Sequence, residues 1–188
     1  MDSSSLLSRA LHLMQNAKVE TARGLWISDV DGRVQRRQFL FRTPLCWRVE
    51  VDGHLAVVSD GERAAVPGPD GWVWTPAERT HHSGALRAML FPAEAPLWGR
   101  PGTDQYQAES AGPGPNPGLV LVRYKALDTT EPQAPPISAF VDAGTGIIMR
   151  WTAPGSSQRF EELVLDADIP QSAFRLPQAG SPDPTFLP

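Results

Sequence analysis

The chain has 188 residues with 17 basic and 21 acidic side chains, which gives a formal net charge of −4. This balance argues against a nucleic-acid-binding surface, because such a surface needs a basic stripe. The single cysteine, Cys46, excludes an internal disulfide and a thiolate metal cluster. The 19 prolines and 16 glycines are typical of a β-rich chain with many turns.

The length favours one domain with its own core, and we assign residues 1–177 to it and residues 178–188 to a flexible tail. No apolar run approaches the ~20 residues of a membrane span, so no transmembrane segment is expected. The N-terminus lacks the pattern of a signal peptide. The chain as written is therefore expected to be cytoplasmic, or exported if a signal sequence has been removed from it.

Residues 3–17 predict an amphipathic helix, because its apolar side chains recur at helical spacing. Its stripe consists of Leu7, Ala10, Leu11 and Met14, widened by Leu6, Leu13 and Ala17. Alternation of apolar and polar side chains then predicts strands at 19–30 and 34–43, joined by a turn at Asp31-Gly32.

Residues 43–76 predict four short strands with hairpin turns at Asp52-Gly53 and Asp60-Gly61. Trp47 lies in the first of these strands, and Trp72 and Trp74 point the same way from the last one. We expect these tryptophans to lie on one aromatic, concave face of an antiparallel sheet.

The second half of the chain predicts a further helix and further strands. The helix, 84–91, is capped by Ser83 and ended by Pro92. Residues 92–118 are irregular except for a short strand at 103–109, and a loop is expected at 128–136. Strands are predicted at 119–127, 138–142, 147–152 and 157–167, for a total of seven to eleven in the chain.

Four motifs accompany this order of elements. They are Trp-Arg-Val-Glu at 47–50, Val-Val-Ser-Asp-Gly at 57–61, Phe-Val-Asp-Ala-Gly-Thr-Gly-Ile-Ile-Met-Arg at 140–150 and Asp-Ile-Pro-Gln-Ser-Ala-Phe-Arg-Leu-Pro at 168–177. With these motifs, the chain resembles the superfamily of the lipoprotein carrier LolA over residues 3–177. That superfamily includes mycobacterial lipoproteins, the amino-terminal domains of sigma-factor regulators and a violacein-pathway enzyme.

The resemblance implies a mainly β (α+β) fold. Its sheet would be a half-open, strongly curved antiparallel sheet, an unclosed barrel, with two or three helices plugging the concave face. In the carriers this cavity holds acyl chains, and an arginine directly before a proline latches the helical lid. Here that position is Thr43, and Arg42 stands one residue earlier. Because a one-residue step in a strand reverses the face, neither the latch nor lipoprotein carriage is predicted.

An open sheet with few helices cannot fill its concave side, so we expect a hydrophobic cavity there. The predicted ligand-binding residues are large and apolar. They are Trp26, Phe39, Phe41, Trp47, Trp72, Trp74, Leu86, Met89, Leu90 and Trp98. The alternative for each aromatic ring is ordinary core packing. A strand arginine that faced the cavity would bind an anionic group; the strand arginines are Arg36, Arg42, Arg123 and Arg150.

No catalytic residue, metal site or cofactor is predicted. His81 and His82 are adjacent and lack a third ligand at a suitable spacing. Cys46 has no histidine partner in the sequence around it, and we expect a buried, inert thiol.

Three functions remain open. The first is a carrier or sensor that binds a hydrophobic or amphiphilic small molecule or an acyl chain. The second is a cofactor-free enzyme of a biosynthetic pathway, which holds an apolar or aromatic intermediate in a productive geometry. The third is a regulatory or interaction domain with a protein partner. We expect a monomer or weak dimer that folds without metal.

Overall fold

The structure is a computed structural model that describes residues 3–79, 84–127 and 136–178. Its two α-helices are α1 (Ser3–Gln15) and α2 (Gly84–Leu90). Short 3-10 helices lie at Ala77–Arg79, Pro92–Glu94 and Gln171–Phe174. The strands are β1 (Thr21–Val30), β2 (Arg33–Arg42), β3 (Cys46–Val51), β4 (His54–Asp60), β5 (Arg63–Gly68), β6 (Gly71–Pro76), β7 (Tyr106–Pro113), β8 (Leu119–Ala126), β9 (Ile137–Asp142), β10 (Ile148–Ala153) and β11 (Ser156–Leu165).

The eleven strands form one antiparallel sheet in the order β6-β5-β4-β3-β2-β1-β11-β10-β9-β8-β7. Strands β6 and β7 stand at the two ends of this order, so the sheet is not closed. The predicted mainly β fold with an open antiparallel sheet is therefore confirmed, and strong curling of the sheet is not. The placement of the helices on a concave face stays a prediction.

Most predicted elements are found within one to three residues of their expected ends. The exception is the strand expected at 103–109, which is β7 at Tyr106–Pro113. The residues before it are taken up by a tight loop, in which the Asp104 carboxylate accepts hydrogen bonds from the backbone N–H groups of Trp98 and Arg100. The predictions for His81, His82, Ser83, residues 128–135 and residues 179–188 lie outside the described residues.

The chain divides into two compact units. The first unit comprises Met1–Lys18, Ser28–Val34 and Ala85–Arg159. The second comprises Val19–Ile27, Gln35–Gly84 and Phe160–Pro188. The assignment of residues 1–177 to one domain stays a prediction.

In the first unit, α1 packs against β7 and β8. Its apolar stripe buries Ala10 and Met14, and the Tyr124 hydroxyl of β8 lies 3.6 Å from the Met14 sulfur. Gly146 comes so close to α1 that a Cβ atom there would lie 2.3 Å from the Leu13 carbonyl oxygen. Only glycine fits at this position, because its φ is also +77°.

In the second unit, the strand register decides which side chains share a face. Trp47 pairs with Ser59, which in turn pairs with Ala64. Trp74 pairs with Ala65, and Ala65 pairs with Val58. Neighbours in sequence point to opposite faces of a strand. Trp47 therefore lies on one face and Trp72 and Trp74 on the other, which corrects the expectation of a single aromatic face.

Candidate functional site

The face that carries Trp72 and Trp74 is covered by the C-terminal segment, defined here as residues 167–178. Ile169 and Phe174 of this segment form a buried cluster with Cys46. Leu176 packs against a second cluster on the same face. The members of the second cluster are Val58, Ala65 and Trp72. Apolar burial therefore anchors the C-terminal segment at two points along the strands.

Polar contacts also hold the C-terminal segment. The Arg42 guanidinium donates to the Ile169 carbonyl at 3.4 Å and lies 3.5 Å from Gln171 Oε1. Further along, Trp74 Nε1 donates to the Pro177 carbonyl at 3.2 Å. Arg42, which stands one residue away from the expected latch position, thus binds the C-terminal segment.

Beside this segment lies an open groove of about 490 Å³. This volume is within the range of small-molecule pockets. The groove is mixed in character, with apolar and charged side chains on its walls. It is lined by Asp60, Arg63, Trp74, Gln171, Ser172, Phe174, Arg175, Leu176, Pro177 and Gln178.

Trp74 is the large aromatic side chain that this groove leaves accessible, with 38% of its surface exposed. The Arg63 guanidinium lies over its indole ring, 4.4 Å from the centroid. The Asp60-Gly61 turn places Arg63, because Asp60 Oδ1 accepts hydrogen bonds from the backbone N–H groups of Glu62 and Arg63. Sequence-local turn chemistry therefore fixes the strand that carries this arginine.

A second, smaller pocket of about 120 Å³ lies on β2 and β3. It is lined by Gln38, Phe39, Leu40, Arg48 and Glu50. Arg48 and Glu50 form an ion pair at 2.6 Å, so their charges are already compensated. The pocket is smaller than typical ligand sites, which argues against it as the functional site.

The predicted aromatic residues of the second unit are mostly core residues. Trp26, Phe39, Phe41, Trp47 and Trp72 are each less than 10% exposed. Phe41 packs against Trp47 in a tilted arrangement with ring centroids 4.4 Å apart, and Phe39 packs on Phe160 at 5.7 Å. The buried Trp26 Nε1 has no hydrogen-bond partner among the described residues. Among the predicted aromatic residues of this unit, Phe39 lines the small pocket and Trp74 lines the groove.

The other four predicted residues belong to the first unit. Leu86, Met89 and Leu90 of α2 are buried. Trp98 is half-buried, and its Nε1 donates to the Pro92 carbonyl at 3.1 Å. A ligand-binding role for these residues, and for the core aromatics, stays a prediction.

Sequence reasoning did not find the two arginines of the groove. For Arg63 the sequence offered one usable signal, the Asp60-Gly61 turn just before it. In the structure it pairs with Pro76, two residues from Trp74. For Arg175 the sequence offered no such signal, since the C-terminal segment has no alternation of apolar and polar residues that would predict where this side chain points. Among the strand arginines that were named, Arg42 contacts the C-terminal segment.

Cys46 is 4% exposed, which confirms the buried thiol. Burial raises its pKa above the ordinary value, and the hydrogen bond with Gln171 opposes this shift in part. In the described part of the chain, no three His, Cys, Asp or Glu side chains cluster as metal ligands would. No helix there is long and apolar enough to cross a membrane.

No protein-family model and no curated protein matches the sequence. The fold is similar to that of an uncharacterised conserved protein from Thermus thermophilus, with a TM-score of 0.57 and 8% identity over 92% of this chain and 95% of that one. It also matches MucB in the Pseudomonas aeruginosa MucA/MucB complex, with a TM-score of 0.44 and 15% identity over 94% of this chain and 62% of that one.

A DUF1329 family protein from Desulfovibrio piger matches with a TM-score of 0.40 and 12% identity over 92% of this chain and 97% of that one. The match with a TM-score above 0.5 shows a likeness of fold alone. At these identities the likeness carries no conclusion about ligand, activity or partner.

Proposed function

We propose that this protein binds an apolar or amphiphilic small molecule in the groove beside the C-terminal segment and acts as a carrier or sensor. The observation that carries the proposal is Trp74, a large ring left 38% exposed on the wall of a groove of about 490 Å³. An indole ring gives a ligand a broad apolar contact surface.

The surroundings of Trp74 support this proposal. Its indole N–H is engaged by the Pro177 carbonyl, so the ring is held in place rather than free to turn. Leu176 adds a half-buried apolar side chain to the same groove. A ligand would therefore meet a preformed wall, which reduces the entropy lost on binding. Of the ten residues predicted from the sequence, this proposal relies on Trp74.

The test is a fluorescence titration with N-phenylnaphthylamine, a neutral apolar dye whose emission rises in apolar surroundings. We expect saturable binding to the native protein and roughly tenfold weaker binding to Trp74→Ala, because an aromatic contact is lost. The matched control is Val73→Ala. Val73 is the neighbouring residue of β6, is 47% exposed and lies on the opposite face.

Two results would overturn the proposal. One is the absence of saturable binding to the native protein, and the other is an equal loss of affinity in Val73→Ala and Trp74→Ala. The regulatory or interaction domain would then become the preferred function. Thermal melting of each variant shows whether lost binding reflects lost folding.

A further inference from the structure

The groove carries a local excess of positive charge. Arg63 and Arg175 line it, and Asp60 is the acidic side chain among its lining residues. This gives a net charge of +1 in the groove, from two arginines and one aspartate, against −4 for the whole chain. The groove is therefore opposite in sign to the protein as a whole.

The two arginines are available to a ligand. Both side chains are exposed, and neither forms an ion pair within the ranges that the structure describes. Asp60 forms no ion pair with either arginine in the described ranges, and its Oδ1 atom accepts from two backbone N–H groups of its own turn. The guanidinium groups thus keep their N–H donors for an incoming anion.

We propose that the ligand of this groove carries a single anionic group, a carboxylate, sulfonate or phosphate, that Arg63 and Arg175 bind. This inference rests on the proposed function, since it concerns the same groove. Arg63 lies over the Trp74 ring, so a ligand can touch the indole with its apolar body while its anionic end reaches the guanidinium. Guanidinium groups suit such anions because they donate paired, charge-assisted hydrogen bonds.

The experiment compares two dyes that share one skeleton. N-phenylnaphthylamine is neutral, and anilinonaphthalene sulfonate adds one sulfonate to it. We expect the native protein to bind the sulfonate dye about fivefold to tenfold more tightly than the neutral dye, the range for exposed charge contacts from two arginines. The double variant Arg63→Gln, Arg175→Gln should remove this preference, so that the ratio of the two affinities falls to about one.

Two control variants separate the groove from general charge effects. Arg36→Gln removes an exposed arginine of the same unit that does not line the groove, and it should keep the preference. Arg63→Lys keeps the charge and should retain part of the preference. High salt should reduce the preference in the native protein, because the contacts are exposed.

The outcomes separate this inference from the proposed function. If the neutral dye does not bind, the proposed function fails. If both dyes bind the native protein equally, or if Arg36→Gln lowers the preference as much as the double variant does, the anionic ligand is excluded and the proposed function stands.

The anionic group can belong to a free amphiphile or to a lipid headgroup in a membrane. We commit to a free amphiphile, because the groove volume is that of a site for one small molecule. Dodecanoate should therefore displace the sulfonate dye at lower concentration than dodecanol, which has the same chain length without the charge. Displacement by phosphatidylglycerol vesicles without displacement by dodecanoate would overturn this choice.

Discussion

The Arg63 guanidinium lies 4.4 Å from the centroid of the Trp74 ring, on the face of the sheet that the C-terminal segment covers. The contact joins a charged group and an aromatic surface at one wall of the groove. Such a cation–π contact orders the arginine without consuming its hydrogen-bond donors. The pair therefore offers a ligand both apolar and ionic contacts at the same place.

The register predicts different stability effects for the tryptophans. Trp47→Ala should lower the free energy of unfolding by ~3–5 kcal/mol, because Trp47 is 8% exposed and packs against Phe41. Trp74→Ala should lower it by only ~1–2 kcal/mol, because that ring is partly exposed. Urea denaturation measures both values. Equal losses would contradict the assignment of Trp47 to the core and Trp74 to the groove.

The attachment of the C-terminal segment by Arg42 can be tested by hydrogen exchange. Arg42→Ala removes the donor to the Ile169 carbonyl and should destabilise the segment by ~1 kcal/mol. The backbone amides protected by the C-terminal segment should then exchange roughly fivefold faster. The exchange rates of the amides in β8 and β9 should change little. Phe174→Ala is the stronger variant, since it empties a buried position. Unchanged exchange in Arg42→Ala would show that apolar packing alone holds the segment.

Asp104 should make stability pH-dependent in the acid range. The side-chain hydrogen bonds from Arg100 hold its pKa below the ordinary value. A carboxyl group with a lowered folded pKa stabilises the fold above its unfolded pKa of ~3.9, and this contribution is lost as the pH falls through the folded value. Asp104→Asn should therefore lower Tm at neutral pH, and the difference from the native protein should shrink below about pH 4.

The control for this pH effect is Glu109→Gln, because Glu109 is exposed and lies on the neighbouring strand β7. It should leave the Tm profile nearly unchanged. A Tm difference between native protein and Asp104→Asn that stayed constant from neutral to acid pH would contradict the charged role of Asp104.

Cys46 should resist thiol reagents in the native state. Its sulfur is buried under the C-terminal segment, and burial raises its pKa, so little reactive thiolate forms. Alkylation by iodoacetamide should be slow in buffer and fast in urea. Phe174→Ala should accelerate it, because Phe174 belongs to the cluster that covers the sulfur. Rapid, complete alkylation of the native protein would contradict this burial.

Local signals predicted the strands well, because alternation and Asp-Gly turns act over a few residues. The sequence did not predict on which face of the sheet each tryptophan lies. Trp47 and Trp74 are separated by three hairpins, and each hairpin register decides whether the next strand keeps or reverses the face. The groove itself depends on the C-terminal segment, whose contacts with β2 and β6 span more than a hundred residues. No local pattern encodes such a contact.

The most direct test of the groove follows the indole N–H resonances of the six tryptophans by NMR during a titration with N-phenylnaphthylamine. Assignment by single Trp→Phe variants identifies each signal. We predict that the Trp74 resonance shifts most, while those of the buried Trp47 and Trp72 shift little. A titration in which Trp74 stays unchanged and Trp26 or Trp47 shifts would contradict the groove and place the ligand among the core aromatics.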